Sequence, residues 1–382
     1  VDPRSEGQNV AHDLGQRCAG NNSCTPICPI QAKYNANKTL EKAVRTRNVK
    51  VLTHAVASRV LVDEGGAVKG IEVKCYRHPD SAEHTVHVAR GTMYVLAAHA
   101  VENAKLMLAS GLESSSGQMG RNLMDHPVMI NWGLLPERAG AYRGPLSTSG
   151  IEDLRGGSFR ARHAAFRVEI GNDGWVWPMG GPNTTVGDAL KTGLFGARLR
   201  EHLGHTVSRQ FRLGFLIEQM PMAANRVTID RAYTDRLGNF RPVIDYDLEP
   251  YTLEGMRVAR EISDLVFSHA GAANMTQTKD NFIGAATWNG VTYPWDGAGH
   301  FAGTHVMGTG RGDSVVDADQ RSWDHRNLYL VGCGSMPTMG TSNPTLTITA
   351  MAFRTARALL RDLGGSAPQA AAPSHAATEA SR

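Results

Sequence analysis

The sequence predicts an α/β chain of composite build, in which two α/β segments flank a mostly antiparallel β region. Three observations carry that expectation. Met93–Ala98 (MYVLAA) is apolar throughout, as strands buried on both faces are. Directly after it, Val101, Ala104, Leu106 and Leu108 recur at helical spacing, so a buried strand feeds straight into a helix. The same alternation returns late in the chain. Leu328–Val331 is a short apolar strand, and a long helical pattern runs from about Pro344 to Leu363. Between them, alternating runs such as Phe211–Ile217 and Val227–Ile229, with a helix over Leu253–Phe267, indicate a second, mostly β layer.

In chain order, residues 1–48 are loop-like and carry a cysteine cluster. Val49–Val60 is β-branched and alternating, a strand–turn–strand signal, and Val68–Val73 and Val86–Val88 read as further strands around Glu64-Gly65-Gly66. The turn-rich Gly117–Pro127 (GQMGRNLMDHP) ends this unit, which spans 49–127. A different composition, rich in Trp and Gly, fills 128–290. The α/β character resumes over 291–363, and 364–382 is an Ala/Pro/Ser tail expected to be disordered.

The totals exclude several function classes. With 41% apolar and 20% charged residues over 382 positions, two or three domain-sized units with a sizeable core are expected. The formal charge of +4 is spread without a basic run, so no nucleic-acid partner is expected. No stretch reaches the ~20 apolar residues of a membrane span. The opening VDPRSEGQNV is polar, without a signal-peptide core or an initiator Met, so a preceding segment is expected to be absent from this chain.

Three constellations carry chemistry. Cys18, Cys24 and Cys28 (C-x5-C-x3-C, then Pro29) suit a loop wrapping thiolates around one metal centre. Three ligands point away from a four-ligand structural zinc site. A disulfide with a spare thiol remains the plain alternative, and Cys75 or Cys333 stays open as a fourth ligand. His300, in G-H-F-A-G-T-H with His305 five residues on, sits in a Gly-rich loop that suits a general base. Hydrogen-bonded loop histidines are the plain alternative. Asn343-Pro344 reads as a helix start with Asn capping and Pro at the first helical position, and a helix N-terminus also attracts anions. Gly297-x-Gly299 with Gly303 follows a loop instead of a strand, so it is no dinucleotide fingerprint. Arg311-Gly312-Asp313 reads as a turn, and Asn21-Asn22-Ser23 as a weak glycosylation sequon.

HFAGTHVMG (His300–Gly308), NLYLVGCGSMPT (Asn327–Thr338) and SNPTLTITAMA (Ser342–Ala352) resemble the C-terminal two-thirds of a glucose–methanol–choline (GMC) flavoprotein oxidoreductase, as do VLAAHAVENAKLML (Val95–Leu108) and GQMGRNLMDHP. The cysteine pattern with CPIQAKYN narrows the resemblance to bacterial membrane-associated glucose, fructose, sorbitol and gluconate dehydrogenases. It implies an incomplete Rossmann-like FAD-binding domain (49–127 and 291–363) and a mostly antiparallel substrate-binding domain (128–290). His300 falls at the family's catalytic histidine and Asn343 at its second catalytic position, with His305 left to loop support. FAD contacts implied within this chain are Ala57, Ala97, Ala98, Gly334, Asn343, Pro344 and Thr345. Cys18, Cys24 and Cys28 match the pattern that holds a 3Fe–4S cluster in those enzymes, with zinc the alternative.

The implied reaction oxidises a CH–OH group of a sugar, polyol or sugar acid, with electrons leaving through the cluster to a cytochrome c subunit. A small export subunit, a place on the periplasmic face of the inner membrane and membrane association only through partners are implied with it. Two departures stand out. The G-x-G-x-x-G unit that should precede Cys18 is not in this sequence, so weak or absent FAD binding by this chain alone is expected. His99 stands where the family usually has Gly. The rivals are an inactive fragment, a zinc-stapled binding module, and an oxygen-using oxidase of the same family. Tyr293 and Trp295 suit stacking on a sugar face, and glucose, fructose, sorbitol, gluconate and 2-ketogluconate all stay open as substrates.

Overall fold

In the computed structural model, described residues are 18, 28, 30–32, 34–140, 147–171, 182–276 and 284–364. Cys24 and the expected tail beyond Gly364 lie outside them. Helix α1 (Ala36–Arg45) opens the described chain, followed by β1 (Ala55–Val62), β2 (Val68–Tyr76) and β3 (His84–Ala89), an antiparallel three-stranded sheet in sequence order. Strand β4 (Tyr94–Leu96) then feeds helix α2 (Ala100–Ala109), the predicted strand-to-helix unit. Two expectations are corrected here. Residues 1–48 contain a helix, started by Asn35 Oδ1 accepting from Asn37 N at 3.1 Å. The segment before Ala55 is not a strand: Val51 and Leu52 are exposed, and β branching alone does not make a strand without a partner.

The central region is a six-stranded sheet. It is built from β5 (Pro127–Leu134), β6 (Ser147–Ile151), β7 (Phe166–Gly171), β8 (Gln210–Ile217), β11 (Ala273–Asn274) and β14 (Asp296–Gly297). The strand order is β11-β5-β8-β7-β6, and β14 also pairs with β5 at its N-terminal end. All these pairings are antiparallel. Helix α5 (Pro250–His269) covers one face, with Pro250 at its first position. Gly255 lies so close to the sheet that a Cβ there would sit 2.7 Å from Ala164 Cβ. Met129, Phe166, Val168, Leu213, Phe215, Ile217, Met256 and Phe267 form the core beneath it. Helices α3 (Pro182–Lys191) and α4 (Gly196–Val207) lead into β8. The hairpin β9 (Arg226–Thr234) with β10 (Phe240–Asp245) packs on α2, whereas the hairpin β12 (Ala285–Trp288) with β13 (Val291–Pro294) lies against α5.

The chain then returns to the α/β segment. Strand β15 (Leu328–Leu330) pairs in parallel with β4, with Leu328 opposite Tyr94 and Leu330 opposite Leu96. These strands pack with Ala104, Met107, Leu123 and Val315 into a separate core. Helix α6 (Thr345–Asp362) closes the described fold. The expected Asn343 cap is also corrected. Pro344 occupies the capping position with helical φ of −80°, its carbonyl accepts from Ile348 N, and no side chain caps the helix. The first N–H groups of α6 therefore lack a side-chain acceptor, and Asn343 is left exposed. Among the described residues no helix is long and apolar enough to cross a membrane. The arrangement is a mixed fold with mostly antiparallel sheets, as the sequence predicts.

Candidate active site

The site is built where two distant segments run antiparallel. Gly297 pairs with Pro127 and Asp296 with Val128, extending the ladder of β5. One step on, Ala298 N donates to His126 O at 3.1 Å, and Met124 and Ala302 exchange backbone hydrogen bonds at 3.0 and 2.9 Å. Beyond that the backbones touch at Gly303. Its φ is +88°, and a Cβ there would lie 1.9 Å from Asn122 O. Only glycine combines that conformation with that approach. A small core of Met124, Ala302 and Met339 seals the crossing.

Asp125 occupies the centre of the crossing. Its carboxylate accepts from Gly299 N (3.0 Å), His300 N (2.8 Å) and His126 N (2.7 Å), and so fixes the loop that carries His300. Burial pushes the Asp125 carboxyl above its usual range, against the pull of those three N–H groups. Its own N–H donates to Gln219 Oε1, which also accepts from the Tyr246 hydroxyl at 2.8 Å.

The two histidines then determine each other's protons. His126 Nε2 lies 2.8 Å from Gly340 O, an acceptor, so this nitrogen carries the hydrogen. Burial lowers His126 to about 4, so the ring is neutral and its Nδ1 presents a lone pair. That Nδ1 lies 2.9 Å from His300 Nδ1, which must therefore donate. His300 is held as the Nδ1–H tautomer, with its Nε2 lone pair left available. Half-burial depresses the His300 pKa, while the Asp125 and Glu169 carboxylates act the other way. The arrangement makes His300 a neutral, oriented base at pH 7.

His300 and Asn343 line one cavity of about 230 Å³, together with Val128, Ile130, Glu169, Arg212, Leu216 and Asp296. The structure thus unites the two sequence-nominated catalytic positions. Tyr293 instead is buried in the sheet core, and Trp295 packs against that core and pairs with the Tyr246 ring at 6.2 Å.

The nominated FAD contacts divide. Ala97 and Ala98 are exposed at the end of β4, where Ala98 N donates to Asn103 Oδ1 and the following His99 has φ of +82°. Thr345 is exposed at the uncapped start of α6, beside buried Pro344 and exposed Asn343. These residues fit a flavin ring: small side chains at a parallel-strand end, and unaccepted N–H groups to face its polar edge. Gly334 is small for a local reason. It is buried, and a Cβ would lie 2.2 Å from Nε2 of the fully buried His305. That nitrogen is 3.3 Å from Asn103 Nδ2, whose amide also reaches Leu96 O and Val331 O, so His305 supports the ends of β4 and β15. Ala57 lies on β1 in another cleft, lined also by Lys74, Lys105 and Asn239. Cys18 and Cys28 are half-buried, and Cys28 Sγ accepts from Ala32 N at 3.3 Å. Cys75 lies within β2, and Cys333 packs against the Met124–Ala302–Met339 core.

Sequence reading missed Asp125, His126, Glu169 and Arg212. The string MDHP was visible, but its partner His300 lies 174 residues away and no periodicity links them. Asp-His-Pro opening a strand after a Gly-rich turn was the available signal.

His300, neutral and oriented, stands on the loop after β14 and faces a cavity lined by the central sheet. The chain belongs to the GMC oxidoreductase family, whose models match residues 4–128 (N-terminal part) and 221–352 (C-terminal part). It is similar to the fructose dehydrogenase large subunit of Gluconobacter japonicus, 31% identical over 92% of this chain and 61% of that protein. It is also similar to paromamine 6′-oxidase of Streptomyces fradiae, 26% identical over 92% of this chain and 60% of the relative. Among solved structures, pyridoxine 4-oxidase from Mesorbium loti shares the fold, with a TM-score of 0.59 and 21% identity over 85% of this chain and 61% of that one. The chain thus spans about three-fifths of the length of these relatives.

Proposed function

We propose that this chain carries the reacting centre of an FAD-dependent dehydrogenase that oxidises a CH–OH group of a sugar, polyol or sugar acid. The observation that carries the reading is the shared cavity of His300 and Asn343, with the His300 tautomer fixed from behind by His126. His300 Nε2 takes the substrate hydroxyl proton, which the Nδ1–H···Nδ1 contact to His126 leaves it free to accept. The Asn343 amide donates to the substrate oxygen as negative charge gathers there. FAD, when bound, supplies the hydride acceptor for the carbinol carbon. Ala97, Ala98, Asn343, Pro344 and Thr345 would hold its ring, and the N-terminus of α6 favours negative charge beside it.

Cys18, Cys24 and Cys28 would hold a 3Fe–4S cluster, which would supply one-electron transfer toward a cytochrome c subunit. A small export subunit and a place on the periplasmic face of the inner membrane complete the reading. The similarity to a fructose dehydrogenase large subunit and the Ala32 N–H held by Cys28 sulfur support this assignment. The family also includes relatives named as oxidases, and an oxidase has no need of the cysteines.

After reconstitution with FAD, with binding verified from the flavin absorbance, anaerobic mixing with polyols and sugars tests the reaction. Bleaching of the flavin absorbance with wild type, and its loss in His300→Ala, is expected; bleaching by no alcohol would refute the reading. Iron and acid-labile sulfide analysis tests the cluster, and zinc in place of iron would refute that assignment.

A further inference from the structure

The loop around residue 340 carries two of the site's controls: the Gly340 carbonyl that orders the histidine protons, and Asn343 in the cavity wall. It runs between β15 and α6. Gly340 itself is exposed, and a Cβ there would meet nothing within 4 Å, so packing does not confine its carbonyl. The loop is held on either side instead. Met339 is buried with Met124 and Ala302, and Thr341 is only 5% exposed. The Thr341 hydroxyl oxygen accepts from Arg155 Nε at 3.0 Å.

Arg155 ends a short 3₁₀ turn, Asp153–Arg155, whose Leu154 packs against the core of the central sheet. Its Nη1 donates to Glu152 Oε2 at 2.8 Å, and Glu152 Oε1 accepts from Arg167 Nε at 2.7 Å. Arg167 Nη1 in turn donates to Glu169 Oε1 at 2.9 Å, two residues along the same face of β7. Two guanidiniums and two carboxylates thus alternate, each matched, from the cavity-lining Glu169 to Thr341. Hydrogen bonds from Arg167, and then from Arg155, hold the Glu152 carboxyl below its usual range. The Arg155 and Glu152 side chains are about half exposed, and ion pairs of that kind contribute little to stability. Their effect is geometric. A planar guanidinium whose Nη1 is committed to Glu152 has its Nε–H aimed one way, at Thr341. The contact it reaches there is worth more, because a buried hydroxyl left without its donor is costly.

We infer that Arg155 is a positioning residue for His300, acting through Thr341 and the loop it anchors. The line runs from Arg155 Nε to Thr341 Oγ1, then one peptide back to Gly340 O. From there it passes to His126 Nε2 at 2.8 Å, and from His126 Nδ1 to His300 Nδ1 at 2.9 Å. The functional meaning rests on the proposed reading of His300 as the base. Without Arg155 the Gly340 carbonyl loses its nearest tie, and His126 Nε2 loses a fixed acceptor. The His126 hydrogen can then move to Nδ1, where it meets the His300 Nδ1–H donor to donor. His300 resolves that conflict by carrying its own hydrogen on Nε2, the nitrogen that should accept from substrate.

Nitrogen-15 NMR of the histidine-labelled chain tests this without turnover. Arg155→Met keeps the side-chain stem and removes the donors; Thr341→Val keeps the size and removes the acceptor. Both are expected to convert a single His300 Nδ1–H tautomer into a mixture, while Thr341→Ser, which keeps the hydroxyl, stays with wild type. After reconstitution with FAD, and with a polyol that bleaches the wild-type flavin, kcat is expected to fall about 10-fold in Arg155→Met and Thr341→Val, with KM within about 2-fold. An unchanged His300 tautomer in either variant, or a Thr341→Ser as altered as Thr341→Val, would overturn the inference. A shifted tautomer with kcat unchanged supports the positioning by Arg155 and refutes the reading of His300 as the base.

Discussion

His126 Nδ1 and His300 Nδ1 lie 2.9 Å apart, and because His126 Nε2 is committed to Gly340 O, the hydrogen between them belongs to His300. One carbonyl on the 340 loop thereby determines which nitrogen of His300 faces the substrate. Histidine replaced by an apolar side chain at 126 should release that choice. His126→Phe is expected to lower kcat/KM by roughly 10- to 100-fold, the loss typical when a residue that orients a reacting group is removed. His126→Asn, whose amide oxygen can still accept at the Nδ1 position, should retain more. Nitrogen-15 NMR of His300 should report Nδ1–H in wild type and a tautomer mixture in His126→Phe.

Asp125 is the second point of control. Replacing it by Asn removes a charged acceptor of three backbone N–H groups. Hydrogen bonds to charged groups contribute about 1.5–3 kcal/mol each, so a loss of about that size in unfolding free energy is expected, with lower kcat. Chemical denaturation and turnover measured on the same preparation check it.

Gly303 should tolerate no side chain. Gly303→Ala forces a Cβ against Asn122 O in a left-handed backbone, and strain with overpacking is expected to cost roughly 2–4 kcal/mol. Thermal unfolding reads this directly. Gly111→Ala, where φ is +72° but nothing lies within 4 Å, should cost less.

Acid should weaken the fold through its buried imidazoles. The folded state depresses His126 to about 4 and His305 to about 3, mainly by burial. A depressed histidine pKa means that the unfolded chain binds the proton first. Stability is therefore full above about pH 6.5 and falls as the pH drops toward the folded values, by roughly 3 kcal/mol for His126 alone. Denaturant midpoints measured from pH 7 to pH 4 should decline, and less steeply in His126→Asn.

The legible parts of this molecule were those written in local chemistry. The apolar strand at Tyr94–Leu96 feeding α2, the long helix after Pro344 and the Gly-rich loop at His300 each announce themselves within a dozen residues. Pairing was not legible. Nothing in Leu328–Leu330 says that it lies parallel to β4, and nothing in Asp125 says that its acceptors serve Gly299 and His300. Helix α1 was legible but overlooked: Ala36, Leu40, Ala43 and Val44 recur at helical spacing after a capping Asn35, although the structure leaves them exposed or half-exposed. The cap at Asn343 failed by one position because Pro344 adopts helical φ while preceding the first helical hydrogen-bonded turn. Glu169 and Arg212 belong to the cavity only through strand register, which a single sequence does not specify.

The claim that His300 is the oriented base of an alcohol oxidation is tested most directly by rapid-mixing measurement of anaerobic flavin reduction in FAD-loaded wild type and His300→Ala. Loss of a general base should slow the reduction by about 10²–10⁴-fold with the fold intact by circular dichroism. A reduction rate within about 3-fold of wild type would contradict it, since a general base contributes far more than that.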